Sequence, residues 1–380
     1  MRGSLAIWCD VAKEKIDGHT PEIELHFNIW QDLPKNEDGL IDIGIRFIEA
    51  RTIESLFLYI PGTIEPSDII DLFDKMRSDK ALSAIFNDTL TLSDNSDDFF
   101  EAEKDGKTHL RILKIKQNEK SIRKIEEKTR SDEKSTGSVI KFSKSLFERM
   151  NKVGDHYIRI RIPLKGNLKE IFITENFPND HIFLSSFYKS DLIEFRINER
   201  RNYGPNLIRN YKLMDPPKIR AVHYFLIRDL KSDFVRSHAE FRKMRRLEPL
   251  LWEEYLQELG VNADNMIIYH WRDVAKANST VDDFIAFALF RTAKYNIMYF
   301  IIFILVAGAI GSGIFSIFSE IINETIWKIS QGGEWKILQG GEIIALLCLI
   351  AILLVMIDPP KKVGTSAAQL LKRLRRNADA

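Results

Sequence analysis

Apolar residues recur at every second position early in the chain, give way to a charged stretch, resume, and then run unbroken near the C-terminus. The segment 22–30 (EIELHFNIW) places Ile23, Leu25, Phe27 and Ile29 between polar neighbours, the period-two pattern of a half-buried strand. Residues 40–48 repeat it through Ile41, Ile43, Ile45 and Phe47, and residues 55–60 (SLFLYI) form a short apolar run stopped by Pro61 and Gly62. Ser67 is placed to cap a helix over residues 68–80, with Ile69, Leu72, Phe73 and Met76 along one face. Further strands are expected at 88–92 and 109–116.

Residues 117–138 (QNEKSIRKIEEKTRSDEKSTGS) are charged and poor in apolar side chains, the composition of a linker. Beyond them strands are expected at 156–162, 182–188, 192–198, 219–228 and 266–271. A long helix is expected over 232–259, starting at Ser232 or Asp233 and closed by Gly260. Residues 282–291 read as a helix that runs on into the apolar segment. The pattern thus predicts an N-terminal α+β domain (1–116), a charged linker (117–140) and a basic α+β domain (141–290). Strands outnumber helices and follow short turns, so the pairing is expected to be largely antiparallel.

Residues 295–319 contain no charged side chain. A helix rises about 1.5 Å per residue and needs roughly 20 residues to cross about 30 Å of hydrocarbon, so a first transmembrane helix is expected here. The second run, within 343–358 (IIALLCLIAILLVMI, then Asp358), is shorter but wholly apolar, and Pro359 and Pro360 stop it. Together they predict a C-terminal two-helix transmembrane hairpin after an α+β soluble region. Arg291 and Lys294 precede the hairpin, and Lys361, Lys362, Lys372, Arg373, Arg375 and Arg376 follow it in a basic tail (359–380). The external loop (320–342) holds only Lys328 and Lys336, so both termini are expected in the cytoplasm of a bacterial cell, with the hairpin in its inner membrane.

Three details of the hairpin carry meaning. Residues 307–313 (AGAIGSG) space Ala307, Gly308, Gly311, Ser312 and Gly313 so that two helix backbones can approach closely, within the hairpin or between copies. The loop contains a tandem duplication, WKISQGGE (327–334) followed by WKILQGGE (335–342). Neither span has an ionisable side chain, which argues against a transporter or pump.

Averages conceal this division: 45% hydrophobic and 29% charged residues, with a mean hydropathy of −0.17. The net charge of +1 is a cancellation between an acidic excess before residue 150 and a basic excess over 151–250. A basic region suits an anionic ligand. Two cysteines, Cys9 and Cys348, make no disulfide framework. The short apolar stretch before Asp10 is too brief for a signal-peptide core.

Motif chemistry is sparse. The chain lacks HExxH, GxxxxGK[ST], GxSxG and GxGxxG, and its eight histidines show no metal-ligand spacing. No cofactor is implied. Asp94, Asp97 and Asp98 sit in a loop without the Gly and Glu of an EF-hand, and read as a solvated turn. Two basic groups stand out as candidate phosphate contacts: Arg200, Arg201, Tyr203 and Arg209 in one loop, and Arg242, Arg245 and Arg246 on the expected long helix. Guanidinium forks suit phosphates, and a neighbouring Tyr can stack a base.

Residues 295–358, joined to an α+β sensor, resemble in architecture the two-transmembrane effectors of bacterial anti-phage systems, including retron-associated and cyclic-nucleotide-linked ones. That resemblance implies an abortive-infection toxin that senses a cytosolic trigger and impairs the inner membrane. Its expected partners are the lipid bilayer, a nucleotide or nucleic-acid ligand or a nucleic-acid-bearing sensor complex, and further copies of itself through the hairpin. It rests on no motif and assigns no residue a role. A membrane-tethered nucleotide or nucleic-acid enzyme and a non-catalytic membrane scaffold are the competing readings.

Overall fold

The computed structural model describes residues 3–12, 20–34, 38–94, 96–128, 134–150, 154–176, 188–211, 216–293 and 297–331. Two compact units divide the chain: residues 1–176 with 190–292, and residues 177–189 with 293–380. The first is an α+β unit whose described strands form sheets of four, ten and four strands.

The first sheet takes β1 (Ala6–Val11), β4 (Ile53–Ile60), β10 (Lys134–Phe142) and β9 (Lys120–Lys128) in that spatial order, all antiparallel. The large sheet begins with β16 (Lys243–Arg246), β17 (Met266–Val274), β14 (Lys218–Asp229), β2 (Glu22–Trp30) and β3 (Leu40–Glu49). It continues through β11 (His156–Pro163), β8 (Lys107–Leu113), β7 (Phe99–Lys104) and β6 (Thr91–Ser93), with β5 (Ile70–Asp71) also on β11. The third sheet orders β12 (Ile173–Asn176), β13 (Tyr188–Ile197), β18 (Phe284–Ala293) and β15 (Ser232–Ser237). Leu5 bridges Ile197 and joins the two small sheets along an edge.

Period-two alternation builds the core. Leu25, Phe27 and Ile29 of β2, Ile43 and Ile45 of β3, Ile158 and Ile160 of β11, and Tyr224 of β14 leave the large sheet on one face. They meet Leu56, Leu58 and Ile140 of the first sheet, and Ile193, Phe195, Phe284 and Ala286 of the third. Five described helices belong to this unit, α1 (Asp79–Phe86), α2 (Lys144–Glu148), α3 (Asn167–Phe172), α4 (Pro205–Tyr211) and α5 (Pro249–Leu256), and the opposite face of the large sheet lies under α1 and α5. There a second core gathers Trp30, Leu82, Phe100, Ile112, Trp252, Tyr255 and Ile268.

Expected strands at 22–30, 40–48, 55–60, 109–116, 156–162, 192–198, 219–228 and 266–271 correspond to β2, β3, β4, β8, β11, β13, β14 and β17. The strand expected at 182–188 falls almost wholly outside the described residues. Four other expectations are corrected. The charged segment 117–138 falls largely in two paired strands, β9 and β10, where Ile122 sits opposite Ile140 and Ile125 opposite Gly137. The helix over 68–80 is replaced by β5, two 3₁₀ turns and a helix that starts only at Asp79. Asp71 accepts backbone N–H groups from Phe73 (3.1 Å) and Ile115 (2.8 Å), which ties that stretch to the sheet. Ser78, whose hydroxyl accepts from the Ala81 N–H (3.2 Å), is the real N-cap.

The long helix over 232–259 does not exist. Residues 232–237 pair with β18, residues 243–246 pair with β17, and helix resumes at Pro249, a residue that suits a first turn and breaks an interior. The helix over 282–291 is strand β18, where Phe284, Ala286, Ala288 and Phe290 alternate inward. No continuous helix therefore runs from 282 into the apolar segment.

In the second unit α6 (Ile297–Gln331) covers 35 residues. Its Ile304, Leu305 and Phe315 are exposed, and a Cβ at Gly308, Gly311 or Gly313 would meet nothing within 4 Å. Ala307 and Ser312 are exposed as well. Among the described residues no helix is long and apolar enough to cross a membrane. The expected second span (343–358) and basic tail lie outside the described residues.

Candidate anion-binding site

Several polar residues that alternate with the core of the large sheet lie beneath helices, with His26 and Asn28 buried and Arg272 exposed at the rim. His26 and Asn28 on β2, His223 and Phe225 on β14, and His270 and Arg272 on β17 point to the face that α1 and α5 cover. β14 runs parallel to β2 with His223 opposite His26, and antiparallel to β17 with Phe225 opposite His270. The rings consequently form a continuous row. Centroids of His26 and His223 lie 4.8 Å apart, those of His223 and His270 5.3 Å, and those of Phe225 and His270 4.2 Å.

Above this row is a cavity of about 260 Å³. Its walls are the end of α1 (Ala84 to Asn87), Trp252 of α5, and the basic edge formed by Arg242, Lys243 and Arg245. Arg245 is paired with Glu248. Arg242, Lys243 and Arg272 make no side-chain hydrogen bond or ion pair among the described residues. Two buried polar atoms in the wall also lack a partner: the indole Nε1–H of Trp252, a residue only 1% exposed, and Nε2 of His270. An unpaired buried donor costs about 1–3 kcal/mol, so this wall is incomplete without an acceptor.

The titration behaviour of the histidines reports the same field. Burial pulls His270 down to about 4, helped by Arg242, Arg272, Lys243 and Arg245. Burial, then Arg272, the neighbouring His270 and Arg242 pull His223 to about 3. Burial and His223 hold His26 well below its ordinary value. Burial and Arg242 lower even Arg272. At neutral pH the imidazoles are therefore uncharged, and the charge in the cavity is that of its cations.

A buried polar network supports the floor. Asp42, fully enclosed, accepts from Arg161 Nε (2.6 Å), Tyr255 Oη (2.6 Å) and Trp30 Nε1 (2.8 Å). Arg159 donates to the hydroxyls of Tyr255 and Tyr157, both at 2.9 Å, and the Tyr157 hydroxyl lies 3.3 Å from His26 Nδ1. Gly44 is required here, because a Cβ at that position would strike the Tyr157 hydroxyl. Burial pushes the Asp42 carboxyl up, but Arg161, Arg159 and Tyr255 outweigh it and hold the group below the usual range.

Of the residues singled out in the sequence, Arg242 and Arg245 line the cavity and Arg246 does not: its guanidinium donates to the Asp264 carbonyl (2.5 Å). Arg200 and Arg201 sit on a 3₁₀ turn, Arg201 paired with Glu199 at 2.7 Å, and Arg209 is exposed on α4 (Pro205–Tyr211). Tyr203 cannot stack a base. Its ring is buried with Trp8, Tyr59 and Leu207, and its hydroxyl donates to Asn198 Oδ1 (3.3 Å). In the aspartate loop, Asp98 is paired with Lys116 at 2.7 Å. His26, His223, His270, Arg272 and Trp252 were not anticipated, although H-x-N on β2 and H-x-R on β17 place two polar residues on one strand face.

A second, more open cavity of about 370 Å³ shares Arg242 and Arg272 but adds Glu240, Asp273 and Asp283, whose carboxylates oppose an anion. The enclosed cavity is the better anion site. No protein-family model matches the chain, and no curated protein does either.

Proposed function

We propose that the protein is a membrane-anchored effector whose α+β unit senses a small phosphate-bearing ligand, or the phosphate end of a larger one, in the histidine-floored cavity. The observation that carries this reading is the set of unpaired donors facing one space: Arg242, Lys243, Arg272 and the Trp252 indole N–H. Bound phosphate oxygens would give all four a partner, with guanidiniums acting as forks. The aromatic faces of Phe225 and Phe86 suit a base or sugar beside the phosphate.

Membrane attachment is supported by the exposed Ile304, Leu305 and Phe315 of α6 and by the uncharged run of residues 295–319. On this reading the anchor lies in a bacterial inner membrane, the α+β unit is cytoplasmic, and occupancy of the cavity releases a membrane-impairing, abortive antiviral response through self-associated helices. A membrane-tethered nucleotide enzyme is the second reading, favoured by the three uncharged imidazoles in the cavity wall.

The test has two parts. Titration of the detergent-solubilised chain with pyrophosphate, ATP and a cyclic dinucleotide should show saturable binding, weakened at least tenfold by Arg242→Ala and by Arg272→Ala. Induced expression in bacteria with a potential-sensitive dye should then show depolarisation that either substitution abolishes. Saturable binding with an intact potential and turnover of the nucleotide would favour the enzyme; no binding of any of the three would remove the sensor reading.

A further inference from the structure

We propose that Glu24, His26 and His223 form a site for one first-row divalent transition ion, of the Zn²⁺ class, in the floor of the cavity. Glu24 and His26 are two residues apart on β2 and so leave the strand on the same face. The parallel ladder sets His223 directly opposite His26. One donor atom from each of the three lies within 4.8 Å of the other two. Tetrahedral Zn²⁺ with bonds near 2.0–2.1 Å holds its donors about 3.3 Å apart, so the side chains need to close by up to about 1.5 Å around an ion.

The donor types select the ion. Two imidazoles and one carboxylate suit Zn²⁺, Co²⁺ or Mn²⁺, whereas Mg²⁺ and Ca²⁺ take oxygen sets. Imidazole ligands are normally oriented by a hydrogen bond to their other nitrogen, and the Tyr157 hydroxyl supplies one at His26 Nδ1, leaving Nε2 for the ion. That hydroxyl is itself fixed by Arg159 Nη1 at 2.9 Å. The competitor for Glu24 is Arg46, at 3.4 Å, but Arg46 is also held by Asp155 at 2.5 Å and keeps a partner when Glu24 turns to a metal. Three protein donors leave at least one coordination position open, and both histidines line the cavity.

The neighbouring Arg272 and Arg242 oppose a lone cation. An anion in the cavity offsets them and offers an oxygen to the open position, so ion and phosphate should each raise the other's affinity. That coupling rests on the anion-binding reading; the ion site itself does not.

The experiment is a Co²⁺ titration of the full chain in detergent, followed by visible absorption and by metal analysis after dialysis, with and without inorganic phosphate. The expected result is one equivalent of Co²⁺ with a ligand-field band, displaced by Zn²⁺ and weakened at least tenfold by Glu24→Gln and by His223→Asn. Arg201→Ala, remote from the cavity, should change nothing. Far-UV circular dichroism and melting curves report whether each variant folds, and Glu24→Gln, partly exposed and isosteric, keeps the test decisive where His223→Asn does not fold. Less than stoichiometric binding in both buffers, or an affinity indifferent to Glu24→Gln, overturns the proposal. Tight binding that ignores phosphate supports the ion site and counts against the anion pocket instead.

Discussion

His270 and Phe225 face each other across β17 and β14 as nearly parallel rings, 4.2 Å between centroids and 16° between planes. The stack holds an imidazole whose Nε2 has no protein partner. Such pairs contribute about 0.5–1.5 kcal/mol beyond their burial. Phe225→Leu keeps the apolar bulk and removes the ring face. It should lower unfolding free energy in urea by about 1 kcal/mol and loosen phosphate binding several-fold.

Acid should destabilise the unit through its histidines. The folded values of His223 (about 3), His270 (about 4) and His156 (about 4) are all depressed from an ordinary 6.5, so the unfolded chain takes up protons that the folded chain refuses. Their stabilising contribution is complete above about pH 6.5 and is lost as pH falls towards 4 and then 3, by about 1.4 kcal/mol per pH unit for each group. Asp71, raised to about 6 by burial, has the opposite sign: its contribution is complete below its ordinary 3.8 and is lost as pH rises through about 6. Three histidines outweigh one carboxyl. Melting temperature should therefore fall between pH 6.5 and 4.5, with a visibly shallower slope in His223→Gln.

Asp42 anchors the network beneath the cavity, with Arg161 bonded to both its oxygens at 2.6 and 3.0 Å. Breaking a buried ion pair from one side leaves an uncompensated charge and costs about 3–5 kcal/mol. Asp42→Asn should lose stability in that range by urea unfolding. Asp42→Asn combined with Arg161→Gln should recover part of it, and a double mutant no better than the single would show that the pair is not the source.

Deleting residues 294–380 removes most of the second unit and leaves all cavity residues in place. The shortened chain should move from the membrane pellet to the supernatant on fractionation, bind pyrophosphate with an affinity within about threefold of the full chain, and no longer depolarise cells. Retention in the pellet would assign the membrane attachment to another surface.

Much of the strand pattern was legible because burial on one face leaves a period-two trace, as in Ile23, Leu25, Phe27 and Ile29. The site was not, for the same reason. Its residues occupy the alternate positions, which look solvent-facing until α1 and α5 are seen to cover them. His223 reaches Glu24 and His26 only through a parallel ladder, and no spacing rule in one sequence reports a partner strand that distant. The helix expected over 232–259 rests on helix-favouring Arg, Lys, Glu and Ala, whereas pairing with β18 and β17 decides the form of residues 232–237 and 243–246. Pro249 was the overlooked warning. The residues with the clearest basic signature, Arg200 and Arg201, turned out to flank a tyrosine that is structural.

The parallel pairing of β14 with β2 also sets an order of events in the cell. β2 is among the first strands made, yet one hydrogen-bonding edge and its two metal-type donors must wait for β14, which follows much later in the chain. Long-range pairing of this kind is slow. The floor of the cavity is therefore assembled late, only when β14 has reached back along the chain to pair with β2.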